Sequence, residues 1–256
     1  MEMNKQMKHQ KKAVMLLGFI IFVIISVLTG AYVLYYNGKS DIMIHPEYRE
    51  GQIRVACVGD SITYGYGLKN QPKNSYPIFL NELLGKDYQV CNFGNIRVTV
   101  QPDGDQPYIK TYTYRDSVEY PADILIFMMG TNDAKKLNWQ GADKFREDYL
   151  ALLDDYVSAK NPPKVYLCSP ATALFPEGET QGASTYGIQP LVVDEISVIV
   201  REIAEERGYG FIDINAATDD RRDLYGKDLI HPNYDGARLI ASTVYAYLAK
   251  DGTVTK

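Results

Sequence analysis

The sequence is poor in the groups that organise metal sites and disulfide frameworks: its 256 residues include three cysteines and three histidines. Cys57, Cys91 and Cys168 each lie inside an apolar run and form no C-x-x-C pair, so they read as small core residues. Cys57 with Cys91 is the one pairing to consider, if their strands are neighbours. No metal site is expected. A phosphate-binding glycine motif is also missing, since G-D-S-I-T-Y-G-Y-G at 59–67 is neither G-x-x-x-x-G-K-[ST] nor a dinucleotide fingerprint. Nothing repeats internally. Positive charge is scarce beyond the N-terminus: Glu2 with Lys5, Lys8, Lys11 and Lys12 gives residues 1–36 a charge of +3, so the −5 of the whole chain leaves −8 on the rest. A domain that acidic repels polyanions, which argues against nucleic acid as a partner.

A long apolar run, by contrast, is present. Residues 13–36 contain no charged side chain, are dominated by Leu, Ile, Val and Phe, and are long enough to cross a bilayer as a helix. The lysines before the run belong on the cytoplasmic side, and Tyr32, Tyr35 and Tyr36 suit the outer interface. The run is longer than an ordinary signal-peptide core and no clear A-x-A site follows it, so an uncleaved membrane anchor is expected. The expected organisation is a cytoplasmic basic tail over 1–12, a single transmembrane helix over 13–36, a polar linker over 37–51, and an extracytoplasmic domain over 52–256. With 46% apolar residues, that domain can bury a substantial core.

Within the domain, short apolar runs alternate with helical faces. Strands are expected at 53–59, 88–93, 124–129, 164–168 and 211–214. Helical faces fall at Tyr76, Phe79, Leu80, Leu83 and Leu84, at Phe145, Tyr149, Leu152 and Tyr156, at Val192, Ile196, Ile199 and Ile203, and at Ala237, Ile240, Ala241, Val244 and Leu248. Segments 95–122 and 169–190 read as long, tyrosine-containing loops. Strands apolar on both faces and separated by helices imply a five-stranded parallel sheet between helix layers. Right-handed crossovers put every strand's C-terminal end on one edge, where ligands bind. Gly59, Gly94, Gly130 and Ser169 mark the exits there.

The residues after those exits carry chemistry. Asp60 and Ser61 follow the first strand, N92-F-G-N-I-R-V-T99 spans the end of the second, and G130-T-N-D133 follows the third; D228-L-I-H-P232 comes near the C-terminus. A serine nucleophile needs a base, an acid to orient that base, and donors for an oxyanion. His231 is the base available to a serine hydrolase here, because His9 and His45 fall in the tail and the linker. Asp228, three residues earlier, is placed to hold its ring. A structural alternative exists for each group: Asp60, Ser61 and Thr63 could cap a following helix, and His231 with Pro232 could open the last one.

The four ordered blocks G59-D-S-I-T63, N92-F-G94, G130-T-N-D133 and D228-L-I-H-P232 resemble those of the SGNH (GDSL-type) hydrolase superfamily, over about residues 54–248. The resemblance implies a three-layer α/β/α domain of flavodoxin-like type, Ser61 as nucleophile, His231 as base and Asp228 as its orienter. It also implies an oxyanion hole made by the Asn132 side-chain amide and the backbone N–H of Ser61, with Gly94 a further candidate donor and no metal or organic cofactor. One block departs, because Arg97 stands where the family pattern N-x-G-x-S-G-x-T has its second oxyanion-hole glycine. Arginine keeps the N–H but not glycine's backbone freedom, and loss of one such donor costs about 100- to 1000-fold in rate. Alternatively, Arg97 binds an anionic group of the substrate.

The function expected is a membrane-anchored esterase that removes acetyl or other short acyl groups from an extracellular glycan. Tyr108, Tyr112, Tyr114, Trp139 and Tyr186 are candidate sugar contacts. The alternatives are a lipase or lysophospholipase, a glycan O-acyltransferase with the same triad, and a catalytically weak glycan-binding protein.

Overall fold

The computed structural model describes residue 12 and residues 15–30, 45–158 and 160–254. Residues 15–30 are helical and their apolar side chains are exposed. Among the described residues no helix is long and apolar enough to cross a membrane. The rest of the anchor expected over 13–36, nearly all of the expected tail and linker residues 37–44 lie outside the described residues. The domain takes in the end of the expected linker: the His45 ring lies 4.6 Å from that of Phe93, and the Pro46 carbonyl accepts a hydrogen bond from the Gln89 side chain (2.6 Å).

In chain order the domain runs β1 (Ile53–Gly59), α1 (Ser61–Tyr64), α2 (Tyr76–Leu84), β2 (Tyr88–Gly94), α3 (Tyr112–Glu119), β3 (Ile124–Met128), α4 (Ala142–Val157), β4 (Lys164–Cys168), α5 (Pro190–Arg207), β5 (Gly210–Ile212) and α6 (Tyr234–Lys250), with shorter helical turns between. The five strands form one parallel sheet in the order β2-β1-β3-β4-β5. Because side chains alternate along each strand, the sheet feeds two cores. Ala56, Val58, Leu125, Phe127 and Leu167 face α4 and α5 on one side, whereas Val55, Cys57, Ile126, Tyr166 and Cys168 face α2 and α6 on the other. This is the three-layer α/β/α arrangement expected from the pattern of apolar runs.

The same alternation decides the cysteines. β1 and β2 are neighbours, but Cys91 lies opposite Ala56 and Cys57 opposite Asn92. The two thiols therefore point into different cores, and all three cysteines are free and buried.

Three expectations are corrected. Tyr112–Glu119, expected to be loop, is a helix capped by the Thr111 hydroxyl, which accepts from the Tyr114 N–H (3.0 Å). Its surface is polar enough to hide the helical period. The fifth strand is Gly210–Ile212 and not 211–214, because Asp213 caps the following turn by accepting from the Ala216 N–H. Leu83 on α2 is exposed, in a surface groove that it lines with Leu239 and Ser242 of α6.

Two glycines let α1 approach the sheet edge. A Cβ on Gly94 would lie 2.1 Å from the Tyr64 nitrogen, and one on Gly59 would lie 2.0 Å from the Thr63 hydroxyl. Neither backbone has room for a side chain, so α1 sits directly over the ends of β1 and β2 and carries Ser61 with it.

Candidate active site

The local fold leaves both proposed reacting side chains free. Asp60, not Ser61, caps α1: its carboxylate accepts the Ile62 N–H at 2.9 Å. Gly65, in the left-handed conformation, ends that single turn. At the other end of the chain Asn233 caps α6, accepting from the N–H groups of Asp235 and Gly236. His231 therefore does not open the helix and belongs to the turn before it.

That turn, D228-L-I-H231, closes on its own carboxylate. Asp228 Oδ1 accepts the N–H groups of Ile230 (3.1 Å) and His231 (3.0 Å), and Oδ2 lies 2.7 Å from His231 Nδ1. His231 Nε2 in turn lies 2.8 Å from Ser61 Oγ. Acid, imidazole and hydroxyl thus form one hydrogen-bonded line across the exits of the sheet. Burial alone would raise the Asp228 pKa, but the bonds from the His231 N–H and ring and the Ile230 N–H outweigh it and hold the carboxyl below the usual range. An ionised carboxylate there favours the tautomer with its proton on Nδ1, which leaves Nε2 free to accept from Ser61.

The third exit supplies a donor. Asn132 is buried, and its Nδ2 has no hydrogen-bond partner among the described residues. Its backbone is fixed from behind, since Asn138 Nδ2 donates to the Asn132 carbonyl (2.9 Å). Asn138 is itself held by Asp105, whose carboxylate accepts from Asn138 Nδ2 (2.8 Å) and from Lys135 Nζ (2.9 Å).

Asp133 joins this exit to the second one. It is fully buried, and its two oxygens accept the N–H groups of Val100 (3.1 Å) and Gln101 (3.0 Å), just after Arg97. Burial pushes its pKa up to about 7; the Asp60 carboxylate adds to the rise and the two N–H bonds oppose it. An asparagine offers one acceptor oxygen where the carboxylate offers two, so Asp133→Asn should leave one buried N–H unpaired and cost about 1–3 kcal/mol. The folded state keeps a proton that the unfolded chain, with its ordinary pKa, gives up. The Asp133 contribution to stability is accordingly greatest below about pH 4 and falls as the pH rises towards about 7. Urea titrations across that window should show a shallower decline in Asp133→Asn than in wild type. An unchanged slope would mean that Asp133 is not the group responsible.

These residues open on a cleft of about 250 Å³ lined by Ser61, Asn132, His231, Tyr66, Tyr186, Ile96, Ile188, Leu137, Arg97, Asp105 and Lys135. The Tyr66 and Tyr186 rings lie 4.7 Å and 5.9 Å from the His231 ring. Arg97 lies on this cleft with φ +65°, the left-handed conformation that glycine adopts without strain. The arginine thus takes up a glycine-like backbone in spite of its Cβ, and its side chain is exposed.

Other expected contacts lie elsewhere. Tyr108 is fully buried and donates its hydroxyl to the Phe93 carbonyl (2.7 Å), so it is a core residue. Tyr112 is exposed away from the cleft lining, with the Arg115 guanidinium 4.4 Å from its ring centroid. Tyr114 donates to Asp155, and Trp139 packs against Phe145. The Gly94 N–H is taken up by Asn92 Oδ1 (2.8 Å), which removes it from the set of available donors. Of the five aromatic candidates, Tyr186 reaches the cleft. Tyr66, Asp105 and Lys135 on the cleft, and Asn138 behind Asn132, are not among the expected site residues. Gly65-Tyr66-Gly67 directly after the serine turn was the available signal for Tyr66, because a left-handed glycine reverses the chain and the Tyr66 N–H returns to the Ser61 carbonyl (2.9 Å).

A parallel α/β/α sheet with the serine in the turn directly after its first strand, and the imidazole and acid together in a turn near the C-terminus, is the arrangement of SGNH serine hydrolases. The chain belongs to the GDSL-like Lipase/Acylhydrolase family, whose model matches residues 57–239. It is 32% identical over 222 residues to an acetylxylan esterase of Xylanibacter ruminicola; the match takes in 78% of this chain and 44% of that protein, so the chain spans less than half of its relative's length. In fold it is similar to the native aryl esterase of M. smegmatis (TM-score 0.60, 21% identity, 77% of this chain and 100% of that one). It is likewise similar to a carbohydrate acetylesterase from Sinorhizobium meliloti (TM-score 0.61, 19% identity, 76% and 99%).

Proposed function

We propose that this protein is a serine esterase that removes acetyl groups from a glycan. The observation that carries the reading is the unbroken Asp228–His231–Ser61 line beside an unpartnered Asn132 amide in a small cleft. In the proposed reaction His231 Nε2 takes the Ser61 proton as Oγ attacks the ester carbonyl. The carbonyl oxygen gathers negative charge and accepts from Asn132 Nδ2 and from the backbone N–H groups of Ser61 and Arg97. The ester C–O bond then breaks as the imidazolium gives its proton to the departing sugar oxygen, leaving the acetyl group on Ser61. Water attacks the acetyl-enzyme by the same route in reverse, releasing acetate and restoring Ser61.

The relatives support the substrate class, since one is named an acetylxylan esterase and another a carbohydrate acetylesterase. The size of the cleft supports a short acyl group: about 250 Å³ shared between acyl and alcohol leaves little room for a fatty chain. With p-nitrophenyl esters of increasing chain length, kcat/KM should be highest for acetate and fall steeply beyond butyrate. A rise towards long chains would instead favour a lipase.

The location proposed is the outer face of a cell membrane. It is supported by the uncharged run 13–36 and the four lysines before it. On fractionation of cells the full chain should sediment with membranes, and a chain lacking residues 1–36 should not. Equal distribution of the two would defeat the anchor.

A further inference from the structure

Five non-glycine residues among those described adopt a left-handed backbone: Asn70, Arg97, Tyr186, Asp220 and Leu229. Asn and Asp do so readily because their short side chains bond locally, whereas Arg, Tyr and Leu are each strained by their Cβ. All three strained residues surround the candidate active site. Leu229 lies in the turn that brings Asp228 to His231, so its strain has a ready cause. Arg97 and Tyr186 line the cleft, and nothing in the proposed acyl transfer requires either side chain.

Both residues are held in place by loops tied to the rest of the site. The Arg97 loop is fixed through Asp133. The Tyr186 loop is fixed where the Lys136 N–H donates to the Gly187 carbonyl (3.0 Å) and Lys135 bridges Ile188. Tyr186 keeps 54% of its surface exposed, with its ring edge-on to that of His231. Of the two cations lining the cleft, Lys135 is paired with Asp105, while Arg97 makes no ion pair among the described residues. Arg97 and Tyr186 line the same cleft. An unpaired arginine is thus kept, at a strained position, on the active cleft of a domain that is otherwise strongly acidic.

We propose that Arg97 and Tyr186 form a subsite for one carboxylate-bearing sugar, so that the preferred substrate is an otherwise neutral acetylated glycan with a single uronic acid beside the acetylated unit, too little charge for the acidic domain to repel as it would a polyanion. This rests on the acetylesterase reading above. Tyr186 offers its ring to the apolar face of the pyranose, as aromatic side chains do where one side is apolar and the other wet. The planar Arg97 guanidinium donates two parallel N–H bonds to the carboxylate, a pairing that a point charge reproduces less well. Specificity for the acid follows because a neutral sugar leaves the cation without its partner.

The test compares an acetylated xylo-oligosaccharide carrying a hexuronic acid branch with the same compound methyl-esterified at the uronate, which keeps the shape and removes the charge. The wild-type full chain should prefer the acid in kcat/KM by about tenfold, mostly through KM. Arg97→Gln should bring the two substrates to within about twofold, and raised salt should weaken the wild-type preference. Equal use of acid and methyl ester by wild type, or a preference that survives Arg97→Gln, would overturn the subsite. If neither compound is deacetylated, the acetylesterase reading fails on its own. Calorimetric binding of the deacetylated acid and its methyl ester to wild type and Arg97→Gln then decides the subsite by the same ratios.

Discussion

His231→Ala is expected to lower kcat on acetyl esters by about 10⁶-fold, the loss that follows when a serine–histidine pair acting as a unit is broken. Ser61 Oγ has its hydrogen-bond partner in His231 Nε2, and no second imidazole is at hand to take the proton. The one other histidine in the described residues, His45, packs at a tilt against Phe93, where burial lowers its pKa. Stability should change little, because His231 belongs to a turn closed by the backbone bonds of Asp228 and those bonds remain after substitution. Denaturant titration alongside single-turnover kinetics separates the two effects. A variant that retained even a thousandth of wild-type kcat would show that another base serves Ser61.

Asn132→Ala should lower kcat by about 100- to 1000-fold with KM nearly unchanged, the pattern of a donor used chiefly in the transition state. The stability effect runs the other way from most buried substitutions. A buried amide nitrogen without a partner costs the folded state on the order of 1–3 kcal/mol, so removing it relieves a cost already present. Urea unfolding of Asn132→Ala should therefore give a midpoint at or above that of wild type. A clear loss of stability with kcat intact would mark Asn132 as a structural residue held by Asn138, not as the oxyanion donor.

The sheet and the order of its motifs were legible because each rests on a local pattern. Parallel strands buried on both faces are unbroken apolar runs, and Gly59, Gly94 and Gly130 end theirs where the chain must turn at the active edge. Ser61, His231 and Asp228 could be named because the chain offers so few histidines and because the four blocks come in family order. What stayed hidden depends on contacts distant in sequence. Nothing local separates Tyr108, which spends its hydroxyl on the Phe93 carbonyl, from Tyr186, which faces the cleft. The Asp105–Lys135–Asn138 group behind Asn132 joins two loops more than thirty residues apart, with α3 and β3 between them, and its members look like ordinary surface polar residues until the chain folds. Cys57 and Cys91 could be placed on neighbouring strands, but the one-residue register offset that turns them to opposite faces appears only in the sheet. Arg97 was legible as a departure from the family pattern. That it still takes up the left-handed backbone of a glycine was not.

The central claim is that Ser61 is a nucleophile activated by His231, and a fluorophosphonate probe tests it most directly. Intact-mass and peptide analysis should find one stoichiometric adduct, on Ser61, formed far more slowly in His231→Ala and absent in Ser61→Ala. Labelling at another residue, or turnover of p-nitrophenyl acetate that persists in Ser61→Ala, would contradict it.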